Sequence, residues 1–205
     1  SMNKKFIAIS GNIGIGKSTL TKKLAEHYGL QPYLEPVTEN PYLKDFYKDM
    51  RKWAWHSQMF FLGKRIEDHY NLILDQHSVV QDRSLYENAE IFAKNLYRQG
   101  FIAKRDWNVY QDIYKTVIKM LPAPDLVIYL KASVDKIMQR IQSRGRDFEK
   151  NISKKYVTDL NELYDEWMGN FKLSQVIVIN YDDLDLKNNT IDFEAFLEVL
   201  NEYLK

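Results

Sequence analysis

Short apolar runs alternate along the chain with longer segments in which apolar residues recur every three or four positions. Short continuous apolar runs are typical of strands covered on both faces, and the longer period is typical of amphipathic helices. The runs predict five strands, at residues 6–9, 32–35, 78–81, 125–130 and 176–179. Strands that alternate with helices form parallel sheets, so the pattern predicts an α/β/α protein with a doubly covered parallel sheet.

The helical segments are defined by apolar residues on one face and by residues that begin or end helices. Three apolar sets have helical spacing: Leu85, Ala89, Phe92 and Leu96; Val134, Ile137, Met138 and Ile141, after Ser133 as N-cap; and Phe193, Phe196, Leu197 and Leu200. Residues 42–74 have helical character throughout, with a break expected near 50–52. Pro122 and Pro124 end the helix before the fourth strand. We expect one domain over residues 1–205.

Residues 11–18, Gly-Asn-Ile-Gly-Ile-Gly-Lys-Ser, match the phosphate-loop pattern G-x-x-x-x-G-K-[ST] at every fixed position. The glycines let the backbone curl so that successive N–H groups point at phosphate oxygens, and the following helix adds its positive dipole end. We expect Lys17 to reach the β- and γ-phosphates and the Ser18 hydroxyl to hold Mg²⁺. The loop follows an apolar strand and opens a helix, so the sequence predicts a nucleotide-binding site.

Two acidic residues fall at the predicted ends of strands, where open α/β sheets bind their ligands. Glu35 closes the second predicted strand, and Asp82 closes the third and precedes Arg83. A carboxylate at this rim can accept the proton of an acceptor hydroxyl or help to hold a metal ion, and Asp82 resembles a Walker B acid. Strand-end acids also occur as solvated turn residues, but the neighbouring phosphate loop favours the functional interpretation.

Three arginines, Arg140, Arg144 and Arg146, lie near the C-terminal end of a predicted helix. Arg140 and Arg144 are four residues apart and share a helix face. Such a cluster can simply face water and favour the helix dipole. Beside a phosphate loop we interpret it as a lid, at about residues 140–150, which stabilises the transferring phosphate and excludes water, with Gly145 as a hinge.

Composition narrows the class of protein further. The 205 residues carry 29 basic and 28 acidic side chains, a net charge of +1, which argues against broad nucleic-acid binding but leaves room for a local basic pocket. There is no cysteine, so neither disulfides nor thiolate chemistry are expected. No apolar run approaches the ~20 residues that span a bilayer. We expect a soluble, cytoplasmic protein.

Four motifs, in this order, resemble the deoxynucleoside kinase family: the phosphate loop at 11–20, Glu-Pro-Val at 35–37, Asp-Arg-Ser-Leu-Tyr at 82–86, and Arg-Gly-Arg at 144–146. The resemblance covers nearly the whole chain and is greatest to the short bacterial deoxyadenosine kinases of the mycoplasma type. It implies a P-loop kinase-like fold with a five-stranded parallel sheet, a homodimer through a helical interface, and ATP with Mg²⁺. The implied reaction moves the γ-phosphate of ATP to the 5′-hydroxyl of a deoxynucleoside in nucleotide salvage.

The resemblance also implies the residues of catalysis and of the donor site. Glu35 is then the base that takes the 5′-hydroxyl proton, Arg83 contacts that hydroxyl and the transferring phosphate, and Asp82 helps to place Mg²⁺, where many relatives carry Glu. The donor contacts that the loop and the lid together imply are Gly11, Asn12, Ile13, Gly14, Ile15, Gly16, Lys17, Ser18, Thr19, Arg140, Arg144 and Arg146.

Five more residues are implied as contacts of the nucleoside. Tyr47 and Glu149 would hold the sugar 3′-hydroxyl, with Glu149 reaching in from the lid. Gln58 would pair with the base edge, since one carboxamide both donates and accepts. Phe61 and Phe92 would flank the base, although on composition alone both are ordinary core residues.

Arg65 and Asn88 bear on the choice of base. In the family that this chain resembles, members that accept deoxycytidine or purines carry an Arg and an Asp at these two positions. By that resemblance, Arg65 indicates a substrate other than thymidine. Asn88 departs from the Asp and cannot form an ion pair with Arg65. Deoxyadenosine is the first expectation, followed by deoxyguanosine and deoxycytidine.

Two alternatives were weighed, and the second comes from another class of protein. A nucleoside monophosphate kinase of the thymidylate kinase type shares the loop, the strand-end Asp-Arg and the arginine lid, but it needs an anion site for its acceptor and usually lacks an acid placed like Glu35. A P-loop nucleotide switch or binding module of the GTPase kind would carry D-x-x-G and N-K-x-D, and the sequence has neither.

Overall fold

The computed structural model describes residues 3–35, 37 and 39–204. The ends of the expected domain and Pro36 of the Glu-Pro-Val motif lie outside the described residues. Within them, five parallel strands form one sheet in the order β2-β3-β1-β4-β5. The strands are β1 (Phe6–Gly11), β2 (Gln31–Tyr33), β3 (Val79–Asp82), β4 (Leu126–Lys131) and β5 (Gln175–Asn180). The predicted parallel sheet is confirmed.

The helices follow the strands in the alternation that the sequence predicts. They are α1 (Lys17–Tyr28), α2 (Leu43–Lys48), α3 (Met50–Leu74), α4 (Leu85–Glu87), α5 (Lys94–Arg98), α6 (Lys104–Met120), α7 (Val134–Arg144), α8 (Lys154–Asn170) and α9 (Thr190–Leu204). A π-helical turn (Asn88–Ala93) joins α4 to α5, and a 3₁₀ helix (Asp147–Asn151) precedes α8. Over the residues described here, no helix has the length and apolar character to cross a membrane.

The residues of β1 alternate between two buried clusters, one on each face of the sheet. Ile7 and Ile9 belong to a cluster that includes apolar residues of α1, α7 and α9. Phe6 and Ala8 belong to the other cluster, which includes residues of α3, α4 and α6. Burial of each large aliphatic side chain stabilises the fold by about 1.5–3 kcal/mol, so these two clusters hold a helical layer on each face of the sheet. The three-layer α/β/α architecture follows.

The two edge strands differ from the prediction. β2 ends at Tyr33, so Glu35 lies two residues beyond the strand rather than closing it. The prediction that helices cover both faces of every strand was wrong for β5, where Val178 is 55% exposed. Edge strands have a neighbour on one side alone, so helices cover them less completely than the central strands.

The long helical segment is broken at Asp49, just before the predicted position of 50–52. Asp49 has φ −147° and ψ 85°, outside the helical region, and its carboxylate accepts a hydrogen bond of 3.2 Å from the Lys52 amide. An N-cap of this kind starts a new helix, so 50–52 form the first turn of α3.

The helical segment after β3 was predicted as one amphipathic helix, and its geometry is different. Leu85 and Ala89 pack in the cluster with α3 and α6, whereas Phe92 and Leu96 pack in the cluster with α1. The π-helical turn between them explains the change, because its wider turn rotates the later residues away from the face of the earlier ones. The prediction of a single buried face was therefore wrong.

The start and end of α7 agree with the prediction. The Ser133 hydroxyl accepts a hydrogen bond of 3.3 Å from the Lys136 amide, and Gly145 ends the helix with φ 60°. α8 was not predicted, although its buried residues have helical spacing: Tyr156, Val157, Leu160, Leu163 and Tyr164.

Candidate active site

The phosphate loop joins the end of β1 to the start of α1, and its glycines are needed for steric reasons. Gly14 and Gly16 have φ of 72° and 100°, in the left-handed region that side chains disfavour. A Cβ on Gly14 would lie 2.7 Å from Ile141 of α7, and one on Gly11 would lie 2.9 Å from Ile15. The loop is thus packed closely against the helix that carries Arg140 and Arg144.

Polar contacts fix the loop from behind. The Asn12 side chain accepts a hydrogen bond of 2.7 Å from the Ile13 amide and donates to Asn161 Oδ1 at 2.8 Å and to the Val157 carbonyl at 3.1 Å. Ile13 and Ile15 are buried, so these two positions offer a ligand mainly their backbone. The loop is therefore preformed as a cradle of backbone groups.

Lys17 begins α1 and is 95% buried, with 5% of its surface exposed. Its amine donates to the Asn12 carbonyl at 3.1 Å. Burial, and then the charge of Arg83, lower the pKa of Lys17 to about 8. A phosphate group beside this amine would remove much of the penalty, because it would add negative charge next to the buried ammonium.

The two predicted carboxylates lie close to Lys17, and their environments differ. Asp82 ends β3 and is buried, and its Oδ1 has no hydrogen-bond partner among the described residues. Burial raises the pKa of Asp82, with Lys17 opposing the shift. Burial would also raise the pKa of Glu35, but the charges of Arg83, Lys17 and Arg65 outweigh it, and the pKa is lowered. Glu35 is therefore ionised at neutral pH.

Arg83 connects these groups. Its Nη1 lies 3.0 Å from Glu35 Oε1, its Nη2 donates to the Gly11 carbonyl at 2.9 Å, and its guanidinium lies 4.2 Å above the Phe92 ring. Arg83 also has φ of 66°, a left-handed conformation that is rare for residues other than glycine. Strain of this kind persists where the surroundings fix it, and it concentrates at functional sites.

A cavity of about 850 Å³ opens in front of these residues and contains most of the predicted site. One end is lined by the phosphate loop, with Lys17, Ser18 and Thr19, and Ser18 is exposed there. The other end is lined by the predicted nucleoside contacts Tyr47, Gln58, Phe61, Asn88, Phe92 and Glu149. Glu35, Asp82 and Arg83 line the cavity as well. The fold thus brings most of the predicted donor and acceptor residues to one cavity, whereas Gly11, Asn12 and Ile15 of the predicted donor contacts lie outside its lining.

At the acceptor end, two buried side chains have polar atoms without a partner among the described residues. They are Gln58, through Oε1, and Arg65, through both terminal nitrogens. Arg65 is fully buried beside the cavity rather than in its lining, and its Nε donates to Asn88 Oδ1 at 3.2 Å. Its Nη2 is 3.9 Å from Glu35. Unpaired buried polar atoms are destabilising, so these atoms mark places where a ligand can supply the missing partners.

The three lid arginines are held differently. Arg140 donates to the Ile15 carbonyl and lies 4.6 Å above the Tyr181 ring. Arg144 forms a two-bond ion pair with Glu149, through Nε at 2.7 Å and through Nη2. Arg146 Nη1 lies 4.0 Å from the same carboxylate. All three line the cavity, and Glu149 is already paired to Arg144 before a sugar could bind it.

Three features of the site were missed from the sequence. Glu87 is fully buried behind the phosphate loop, and Tyr164 of α8 contacts it at 2.7 Å. The segment 181–188, after β5, supplies a further side of the cavity next to Arg140. Ser84-x-x-Glu87 is a capping-box pattern and was a usable signal. Tyr164 and the segment after β5 have no such sequence signal.

A glycine-rich loop that opens a helix, with a buried lysine, carboxylates and an arginine facing one cavity, defines a P-loop phosphotransferase. The deoxynucleoside kinase family matches residues 7–205 of the chain. The deoxyadenosine/deoxycytidine kinase of Bacillus subtilis (strain 168) is 35% identical over 194 residues, which cover 94% of this chain and 89% of the relative. The deoxyadenosine kinase of Dictyostelium discoideum is 37% identical over 184 residues, 89% of this chain and 75% of the relative.

Solved structures agree with the sequence relatives. The deoxyadenosine kinase from M. mycoides with bound dATP has a TM-score of 0.83 and 31% identity, and the match covers 96% of this chain and 99% of that chain. The chain belongs to the deoxynucleoside kinase family. The predicted family, fold class and enzyme class are confirmed, and the monophosphate kinase and the nucleotide switch are set aside.

Proposed function

We propose that the protein transfers the γ-phosphate of ATP to the 5′-hydroxyl of a deoxynucleoside, with deoxyadenosine preferred. The observation that carries the proposal is the Glu35–Arg83 pair, 3.0 Å apart, which lines the same cavity as Lys17 and Ser18 of the phosphate loop. Glu35 takes the proton of the 5′-hydroxyl, since its lowered pKa keeps it ionised at neutral pH. Arg83 stabilises the negative charge that develops on the transferring phosphate.

The donor lies at the loop end of the cavity. The N–H groups of Gly11 and Ile13 are already hydrogen-bonded within the chain, so the phosphates are bound by the backbone N–H groups of those loop residues from Gly14 to Ser18 that line the cavity, and by the Lys17 amine. The lid arginines Arg140, Arg144 and Arg146 contribute further positive charge. Ser18 and Asp82 fit Mg²⁺, because one hydroxyl and one carboxylate, completed by phosphate oxygens and water, are ligands that this ion prefers. When bound, Mg²⁺ would neutralise charge on the phosphates. The unpaired Asp82 Oδ1 supports this role.

The deoxynucleoside lies at the other end. The Gln58 amide pairs with the base edge, and the rings of Phe61 and Phe92 flank it. Tyr47 and Glu149 hold the 3′-hydroxyl. The Tyr47 ring stacks on Phe148 of the lid at 6.1 Å, which links this part of the site to the arginine cluster.

Arg65 and Asn88 set the base preference. Because the Asn88 carbonyl already accepts from Arg65 Nε, its amide is oriented and its N–H₂ donors are free to face a base. The two terminal nitrogens of Arg65 have no hydrogen-bond partner among the described residues and can donate to an acceptor such as a ring nitrogen of adenine. The relatives named as deoxyadenosine kinases support deoxyadenosine as the first choice.

We also propose a homodimer in the cytoplasm. α3 exposes Tyr70, Ile73 and Leu74, and α6 exposes Val109, Ile113 and Met120 along one stripe. A hydrogen bond of 2.8 Å between His69 and the Pro122 carbonyl places these two helix ends side by side. Exposed apolar side chains that cluster on adjoining helices are typical of an interface. The absence of cysteine is in keeping with a reducing compartment.

The base preference is tested by kcat/KM for the four deoxynucleosides and for adenosine at saturating ATP. The proposal predicts the highest value for deoxyadenosine and the lowest for thymidine. A ranking led by thymidine would contradict the roles given to Arg65 and Asn88.

Sedimentation of the same preparation gives the mass of the protein in solution, and a monomer at micromolar concentration would contradict the dimer.

A further inference from the structure

Glu87 is a fully buried carboxylate that does not line the cavity. It nevertheless accepts five hydrogen bonds from three separate parts of the chain. The donors are the Ser10 hydroxyl at 2.7 Å, the Gly11 amide at 3.3 Å, the Ser84 amide at 2.9 Å, the Ser84 hydroxyl at 3.3 Å and the Tyr164 hydroxyl at 2.7 Å. A buried carboxylate is tolerated where such donors surround it, and these donors join the end of β1 to the chain after β3 and to α8.

A helix cap explains one part of this arrangement. Glu87 and Ser84 form a capping box at the start of α4, and for that purpose the Ser84 contacts are sufficient. The contacts with Ser10, Gly11 and Tyr164 lie outside the cap. They hold the end of β1 and the first residue of the phosphate loop in place. The cap of α4, a helix of three residues, does not need these contacts.

Arg83 is the catalytic group that these contacts surround. Its Nη1 faces Glu35 at 3.0 Å, its Nη2 donates to the Gly11 carbonyl at 2.9 Å, and its Nε faces Glu87 at 3.7 Å. One guanidinium therefore lies between two carboxylates. The one on the cavity side is Glu35, and the one behind it is Glu87.

Tyr164 completes the arrangement from α8. Its hydroxyl lies 2.7 Å from Glu87 Oε2 and 2.8 Å from the Gly11 carbonyl, which also accepts from Arg83. A hydroxyl has one proton and donates to one of these two acceptors at a time, and we assign that proton to Glu87, which makes the shorter contact. Burial, and then Glu87, raise the pKa of Tyr164, so the phenol keeps its proton.

We propose that Glu87 and Tyr164 are positioning residues of phosphoryl transfer: together they fix Arg83 against the first residue of the phosphate loop. The pair also divides the charge of Arg83 between two carboxylates, which leaves Glu35 free to leave its ion pair and accept the proton of the substrate. This inference rests on the proposed function, in which Glu35 and Arg83 act on the 5′-hydroxyl and the phosphate.

The test compares Glu87→Gln, Tyr164→Phe and the double variant in steady-state kinetics at saturating ATP. Misplaced catalytic groups lose rate steeply, so we expect Glu87→Gln to lower kcat by about 10- to 100-fold. Loss of one hydrogen bond in Tyr164→Phe should lower kcat by about fivefold. The KM for the deoxynucleoside should change by less than about threefold in both, because neither residue lines the cavity. Since the residues act as one unit, the double variant should resemble Glu87→Gln alone.

Two control variants separate positioning from stability. Tyr110→Phe also removes a buried phenol hydroxyl, but that hydroxyl has no hydrogen-bond partner among the described residues and belongs to the cluster with α3 and α6. Val117→Ala destabilises the same cluster without touching the site. Both should keep the wild-type kcat when the assay temperature is well below their melting temperatures.

A wild-type kcat in folded Glu87→Gln and Tyr164→Phe, with lower melting temperatures alone, would overturn the inference and leave Glu87 as a helix cap. If Glu87→Gln did not fold, Tyr164→Phe would decide the matter by the same criterion. Independent, multiplicative losses in the double variant would also contradict a joint role. Failure of the proposed function is distinguishable, because the wild-type protein itself would then transfer no phosphate to deoxynucleosides.

Discussion

Replacement of Glu35 by glutamine removes the proposed base and keeps the shape of the side chain. The Glu35 carboxylate is 14% exposed, lies 3.0 Å from Arg83 Nη1, and has a lowered pKa. It is therefore ionised at neutral pH and can accept a proton once it leaves its ion pair with Arg83. Arg83 keeps its contact with the Gly11 carbonyl in the variant, so we expect the loop to stay in place. General base catalysis contributes 10²–10⁴-fold, so kcat should fall by about 10² or more, which is about 2.7 kcal/mol in the barrier.

The assay measures kcat and, separately, the Kd of the deoxynucleoside by titration. We expect a Kd within about threefold of wild type, because the substitution removes a proton acceptor rather than a binding surface. Glu166→Gln is the matched control, since Glu166 is an exposed acid paired with exposed Arg98 at 3.6 Å. A kcat within about threefold of wild type in Glu35→Gln, with normal Kd, would refute the role of Glu35.

Four further predictions concern the donor, the base and the metal ion. Lys17→Ala should abolish transfer with an unchanged circular dichroism spectrum, and retained activity would mean that the loop does not bind the donor. The pKa of Lys17 is about 8, so at pH 8 ATP binding should take up about half a proton as the phosphates raise that pKa; calorimetry in two buffers measures this, and Lys17→Ala should remove it. Changing Arg65 and Asn88 together should reorder the four deoxynucleosides, and an unchanged order would exclude both from base choice. Chelation of Mg²⁺ should stop transfer without weakening deoxynucleoside binding, and undiminished transfer would exclude the ion.

The parts of the fold that follow from local sequence rules were predictable. The apolar runs predicted the five strands. The phosphate-loop motif predicted the turn between β1 and α1, because its glycines are required by local steric contacts. Ser133 predicted the start of α7 for the same reason. The strand ends brought Asp82 and Arg83 to the cavity, as parallel topology requires.

The remaining features depend on contacts between distant residues. The π-helical turn at Asn88–Ala93 reflects packing on both clusters, which local periodicity does not report. Tyr164 reaches Gly11 from 153 positions away, and Asn161 reaches Asn12 across 149. The ion pair between Arg144 and Glu149 was also unexpected, because Arg144 had been predicted to contact the phosphate and Glu149 the sugar 3′-hydroxyl.

The most direct test of the proposed reaction offers labelled ATP to deoxyadenosine and, in parallel, to its 5′-monophosphate. The product is identified by chromatography, and the position of the new phosphate by ³¹P NMR. We predict that deoxyadenosine is converted to the 5′-monophosphate and that the monophosphate is not phosphorylated. Transfer to the monophosphate alone would contradict the account, because the cavity beside Glu35 would then accept a phosphate where we have placed a hydroxyl.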